Sequence, residues 1–142
     1  MYFKLNLQFV ISYLGLFPFI FMLLNKYYFF LINEEISHDF IIHYCNIIIV
    51  FIGANNWNLD KKINNLKAIY GFIPSLFALI ITILNLYNYN INNLIVTIML
   101  FYFLQLFCDY FFLYKYKTNK SSFIYLRMPL TIFIIISIFL IK

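Results

Sequence analysis

Long blocks of apolar residues with almost no charge constrain the fold of this chain more than any other feature. About 20 residues of helix cross the hydrocarbon of a bilayer, and the chain contains several apolar runs of about that length. Only 11% of its 142 residues are charged, whereas a soluble domain has about a quarter. No ten-residue segment alternates apolar with polar residues, as barrel strands do. The sequence therefore predicts an all-α integral membrane bundle.

Five transmembrane helices account for nearly the whole chain, as one helical domain over residues 1–142. The predicted spans are residues 5–24, 39–57, 69–87, 91–114 and 123–141. Their connections are short, so consecutive helices should be antiparallel neighbours. The first apolar run is too long for a cleavable signal peptide, and no small-residue cleavage site follows it. The number of spans depends most on the tight turn at residues 88–90. A different number would reverse the orientation of the C-terminal half of the chain.

The positive charges predict the orientation, because cytoplasmic loops carry the excess of lysine and arginine. Seven lysines fall on one side of the five spans: Lys4, Lys61, Lys62, Lys67, Lys115, Lys117 and Lys120. The other side has only Lys26 and Lys142. We therefore expect a cytoplasmic or matrix N-terminus and an outer C-terminus. The net charge of +5 reflects this topology rather than a basic patch, and we expect no nucleic-acid partner.

Two full charges, Asp109 and Arg127, lie inside predicted spans. Counted from Lys115 and Lys120, each lies roughly 7–10 Å below the same membrane edge. The two helices share a short loop, so the side chains can face each other. Charges within the bilayer are costly and often functional. We favour a structural ion pair over a proton or ion site.

Several polar side chains are expected at the same depth as this pair. The predicted cluster consists of Asn55, Asn56, Trp57, Tyr70, Ser75, Asp109, Arg127 and Thr131. It is open to two interpretations. One is a small ligand or ion site between helices, and the other, which we favour, is ordinary interhelical hydrogen bonding.

Small residues predict where helices pack closely. Gly71, Ser75 and Ala78 share one helical face, and such residues let backbones approach each other. We assign Gly53 to the same kind of packing surface. Prolines at 18, 74 and 129 lie within spans, where neighbouring helices usually accommodate them.

Catalytic and metal-binding patterns are absent from the sequence. There is no nucleophile–base pair, phosphate loop or two-histidine metal motif, and His38 and His43 are best explained as interfacial residues. The two cysteines fall inside predicted spans and form no CxxC pair. We therefore predict no enzyme activity, no metal and no cofactor.

Five short motifs, in order and covering nearly the whole chain, resemble one family of small membrane proteins. They are YLGLFPF (13–19), FIGANNW (51–57), YGFIPSL (70–76), the intramembrane Asp109 and LRMPLT (126–131). The chain is similar to the domain of unknown function 3429 family, which includes transmembrane protein 69 of mitochondria. The resemblance implies about five spans and an inner membrane of bacteria or mitochondria, and no activity. Asn56 and Asn58 stand where the family tends to have His and Gly.

Three functions remain open after this reading. The favoured one is a non-enzymatic structural or assembly component that packs against other membrane proteins, or against itself, within the lipid bilayer. The second is a small transporter or channel that uses Asp109 and Arg127. The third is an accessory subunit of a respiratory complex.

Overall fold

The structure is a computed structural model of the chain, and it describes residues 7–54, 65–111, 121 and 123–142. Within these ranges the regular elements are all helical and no strand occurs. The α-helices are α1 (Leu7–Leu14), α2 (Phe17–Leu24), α3 (Glu34–Ala54), α4 (Asn65–Leu86), α5 (Ile91–Asp109) and α6 (Met128–Ile141). Two π-helical turns, Asn25–Phe29 and Phe123–Arg127, continue α2 and precede α6.

Five helical segments are long and apolar enough to cross a membrane. They are Val10–Phe29, Glu34–Ala54, Ala68–Leu86, Ile91–Asp109 and Phe123–Ile141. The prediction of an all-α membrane bundle with five spans is therefore confirmed. The first two segments extend further toward their connection than hydropathy predicted. Lys26 and two glutamates mark that stretch as polar, yet acidic residues are favourable in the first turn of a helix.

The chain divides into two compact units, and each is described by itself. The first unit comprises Met1–Glu34 and Met99–Lys142, and the second comprises Glu35–Ile98. Helix α5 is continuous across the division, with its first part in the second unit and its remainder in the first.

In the first unit, the first and last spans run parallel. Near their beginnings, the Tyr13 hydroxyl donates a hydrogen bond to the Tyr125 carbonyl at 2.6 Å. Near their ends, the Lys26 ammonium donates to the Ile141 carbonyl at 2.9 Å. A lysine at this position satisfies a terminal carbonyl and complements the negative end of the α6 dipole. Hydrogen bonds at both ends therefore hold the two spans in one parallel register.

In the second unit, α3 and α4 pair in an antiparallel, seven-residue register. Gly53 approaches Gly71. The side-chain amide of Asn46 donates a hydrogen bond to the backbone carbonyl of Ala78 at 3.4 Å. In the third pair, the side-chain amide of Asn85 donates a hydrogen bond to a carboxylate oxygen of Asp39 at 3.3 Å. Contacts that recur every seven residues are typical of a left-handed helix pair that crosses at about 20°.

Two asparagines form the turn between α4 and α5. Asn88 has the left-handed φ of 54°, which asparagine adopts more readily than most residues. The Tyr89 amide donates to the Leu84 carbonyl at 3.0 Å, and the Asn88 amide donates to the Asn85 carbonyl at 3.0 Å. These are the two hydrogen bonds of a Schellman motif. The side chain of Asn90 then accepts a hydrogen bond from the Asn92 amide at 3.0 Å and caps α5.

This turn provides a prediction about stability. Replacing Asn90 with alanine removes the N-terminal cap of α5, and we expect a loss of about 1 kcal/mol in the free energy of unfolding. The control is Asn92→Ala, because the Asn92 side chain is exposed and the Asn92 backbone amide, not its side chain, makes the capping contact. Thermal unfolding in detergent measures both variants. Equal midpoints would contradict the capping role.

Candidate functional site

Asp109 and Arg127 form a buried ion pair in the first unit. The Arg127 Nε lies 3.9 Å from the Asp109 Oδ2, and the two residues are 2% and 7% exposed. Asp109 is the last residue of α5, and Arg127 ends the π-turn that precedes α6. The pair therefore joins the end of the fourth span to the beginning of the fifth. Removal from water is costly for each charge, and the opposite charge offsets part of that cost.

Local sequence explains why the backbone departs from the α-helix beside Arg127. Pro129 has no amide hydrogen, so it cannot donate to the carbonyl of Tyr125, one α-helical turn earlier. That carbonyl accepts the hydrogen bond from the Tyr13 hydroxyl. A π-turn next to a proline is a recognised departure from α-helical geometry, and π-turns are frequent at functional sites.

Two further polar residues are buried one turn from the ion pair. Gln105, on the turn of α5 that precedes Asp109, is 3% exposed, and Thr131, on the turn of α6 that follows Arg127, is 5% exposed. Thr131 was predicted from the sequence as part of the polar cluster, whereas Gln105 was not. The signal for Gln105 was its spacing, because an amide four residues before a buried carboxylate lies on the same helical face.

The other members of the predicted polar cluster are placed differently. Tyr70 is buried in α4 and Ser75 is half-buried there, and both belong to the second unit. Asn55, Asn56 and Trp57 lie outside the described residues. The structure thus brings Asp109 and Arg127 together, with Thr131 one turn away along α6.

The small residues of the second unit allow a very close approach of α3 and α4. A Cβ atom built on Gly53 would lie 2.7 Å from the Gly71 carbonyl oxygen and 2.9 Å from the Cγ of Pro74. Both distances are shorter than real Cβ contacts. Ala78, one of the predicted packing residues, is 6% exposed. Its carbonyl accepts a hydrogen bond from the side-chain amide of Asn46. Ser75 is less buried than Gly71 and Ala78.

Asn46 is a buried polar residue that the sequence analysis did not single out. Its amide nitrogen donates to the Thr82 hydroxyl at 3.2 Å, and that hydroxyl donates to the Ala78 carbonyl at 2.8 Å. Its amide oxygen accepts no hydrogen bond within the described part of the chain. Because one side of the amide is satisfied across the α3–α4 seam, Asn46 is best explained as a residue that sets the helix register.

Asn25 holds the segment that follows the first span, and sequence reasoning also missed it. Its side-chain oxygen accepts hydrogen bonds from the amides of Leu31 and Ile32 at 2.9 and 3.0 Å. Its side-chain nitrogen donates to the Ile32 carbonyl at 2.9 Å. These contacts enclose Phe30, which has a left-handed φ of 51°. A bulky residue in this conformation is strained, so the Asn25 contacts stabilise an otherwise unfavourable turn.

Together these features define a polytopic α-helical membrane protein that carries a buried Asp109–Arg127 ion pair. Among the described residues, no group of three or more His, Cys, Asp or Glu side chains is arranged to hold a metal ion. No protein-family model, curated protein or solved structure matches the chain.

Proposed function

We propose that the chain is a non-enzymatic structural, assembly or accessory subunit of a membrane complex. The observation that carries this proposal is the burial of the Asp109–Arg127 pair, which leaves less than a tenth of either residue exposed. A charge pair that is enclosed by its own fold links two consecutive spans and offers little contact to a solute. The pair then serves to select one packing arrangement of the helices, which is the best-attested role of buried polar groups.

The outer surface of the described helices supports the same proposal. Helix α3 exposes Phe40, Ile47 and Phe51 at 38%, 65% and 64%, and these positions fall on one side of the helix. Helix α6 exposes Phe139 at 67%. Such apolar faces can lie against lipid or against helices of another membrane protein. A chain with so little polar surface has most of its contact area available inside the bilayer.

The membrane and the orientation are further parts of the proposal. The lysine distribution supports a cytoplasmic or matrix N-terminus and an outer C-terminus. The resemblance to the domain of unknown function 3429 family supports an inner membrane, either bacterial or mitochondrial. A cysteine-accessibility experiment with residues introduced at positions 2 and 142 distinguishes the two termini.

The test of a subunit role is mild-detergent extraction of the tagged chain, with a photoreactive residue at Phe51 or, in a separate variant, at Ile49. Ile49 is fully buried in the same helix and is the matched control. We expect a stoichiometric membrane partner that crosslinks at Phe51 and not at Ile49. A respiratory complex among the products would identify the accessory role. Purification as a lone monomer without crosslinks would contradict the proposal.

A second candidate function, a small transporter or channel, rests on the geometry of the same pair. The 3.9 Å separation is longer than a direct hydrogen bond, and Gln105 and Thr131 extend the buried polar surface by one turn on each helix. In reconstituted vesicles, Asp109→Asn should then abolish a proton or ion flux that Lys142→Gln leaves intact. Flux that is unchanged by Asp109→Asn, or absent from the unmodified protein, would exclude this candidate.

A further inference from the structure

Between Ile36 and Phe51, the exposed residues of α3 all lie on one narrow face of the helix. They are Ile36, Phe40, His43, Ile47 and Phe51. Successive members are three or four residues apart, so at about 100° per residue they fall within an arc of about 80°. This spacing is typical of helices that pair along a left-handed seam. We call this face the α3 stripe.

His43 is the polar residue of the α3 stripe. It lies four residues beyond Asp39, the last charged residue of α3, and therefore roughly 6 Å further into the span. The predicted span began at Asp39 and left His43 at the interface, whereas the span in the structure begins at Glu34, nine residues before His43. Phe40 and Ile47 flank the histidine on the stripe. In the part of the chain that the structure describes, no residue hydrogen-bonds its imidazole.

A polar side chain on such a face requires a partner inside the bilayer. Hydrocarbon offers no hydrogen bonds, so an imidazole that faced lipid alone would lose those it makes in water. Ionisable residues within spans almost always face protein or a water-filled cavity. The exposure of His43 in the single chain therefore indicates that a second protein surface covers the α3 stripe.

Membrane geometry favours a second copy of the chain as that surface. Two copies that insert in the same orientation hold their α3 helices parallel, with the two His43 residues at equal depth. A two-fold axis along the membrane normal brings each residue of the stripe close to its own counterpart. Neutral imidazole has one donor nitrogen and one acceptor nitrogen, so two histidines complement each other in one hydrogen bond.

We propose that the α3 stripe is a homodimer interface, in which His43 of one copy donates a hydrogen bond to His43 of a second copy. This assignment rests on the proposed function, because it identifies the membrane partner of α3 as another copy of the chain. Phe40, Ile47 and Phe51 supply the apolar packing. The histidine pair fixes the register, as a single polar residue does in a coiled-coil seam.

Photocrosslinking between two differently tagged, co-expressed copies tests the interface. A photoreactive residue at Ile47 reports on the α3 stripe. One at Phe139 is the matched control, because Phe139 of α6 is as exposed as Ile47, at 67% against 65%. We expect a product that carries both tags from the Ile47 variant and none from the Phe139 variant. Phe40 repeats the measurement if the Ile47 variant does not fold.

The crosslinked products separate this inference from the proposed function. Equal yields of the doubly tagged product at Ile47 and Phe139 would overturn the homodimer, since random collision would then explain both. A product at Ile47 that contains only a different protein would also overturn it, while the proposed function would stand. No product at either Ile47 or Phe51 would contradict both.

Variants of His43 provide the second measurement, the dimer dissociation constant from energy transfer between labelled copies in vesicles. His43→Leu keeps the apolar bulk and removes the hydrogen bond, and we expect dimerisation to weaken about 3- to 20-fold, the range for one interhelical hydrogen bond in a bilayer. His43→Asn retains a donor and an acceptor and should restore dimerisation. His38→Leu is the control, because His38 is half-buried and lies off the stripe. Equal dissociation constants for His43→Leu and His38→Leu would overturn the histidine pair.

Discussion

Replacing Arg127 with alanine is expected to lower the free energy of unfolding by about 3–5 kcal/mol, the usual cost of removing one partner of a buried ion pair. Asp109 is 2% exposed, so its carboxylate would lose the positive charge 3.9 Å away without gaining water in exchange. The measurement is reversible unfolding or steric trapping in bicelles. It compares the variant with the unmodified chain at one pH.

The matched control is Lys117→Ala, a change to a basic residue of the connection between the same two spans. The sequence predicts that Lys117 lies outside the spans, and we expect its removal to cost little because charges in water interact weakly. A double variant, Asp109→Asn with Arg127→Met, should lose less stability than the two single losses added together, since residues in direct contact are energetically coupled. Equal stabilities of Arg127→Ala and Lys117→Ala would contradict the structural role of the pair.

Replacing Gly53 with valine is expected to destabilise the second unit by about 1–3 kcal/mol or more, the range for inserting atoms into a packed interior. The first added carbon would meet the Gly71 carbonyl oxygen at 2.7 Å and the Pro74 ring at 2.9 Å. Neither group is the end of a flexible side chain, so α3 and α4 would have to separate. Separation would also weaken the hydrogen bonds that Asn46 and Asp39 make across the seam.

Ala54→Val is the control for this change. Ala54 is the next residue in α3 and is exposed, so the two methyl groups that valine adds there meet open space rather than a packed helix. Thermal unfolding in detergent, followed by circular dichroism, compares the two variants. If Gly53→Val unfolds at the same temperature as Ala54→Val, the close approach of the two helices does not contribute to stability.

The five spans could be predicted because a membrane helix is defined by its own composition. An apolar run of about 20 residues needs no long-range contact to be favourable in lipid, since its backbone hydrogen bonds are satisfied within the segment. Hydropathy located the segments but placed their ends less well. Glu34 begins α3 because a helix start favours acidic residues, a local effect that hydropathy does not measure.

The ion pair of the candidate site was predictable because its two residues flank one short connection. Asp109 and Arg127 were identified because both charges flank one short connection at the same depth. Tyr70 and Ser75 were assigned to the same cluster by depth alone; they belong to the second compact unit, and their place in the cluster stays a prediction. Depth is one coordinate, and it does not determine which side of a helix faces which neighbour.

The sequence by itself determined the helical class, the number of spans and the charges that must be paired, because each follows from transfer between water and lipid. Only the tertiary structure decided which residues of neighbouring helices contact each other. Asn46 and Ala78, Gly53 and Gly71, and Lys26 and Ile141 meet because helices pack in one register out of several with similar hydropathy. Lipid and apolar side chains offer nearly the same environment, so close packing and a few hydrogen bonds select that register.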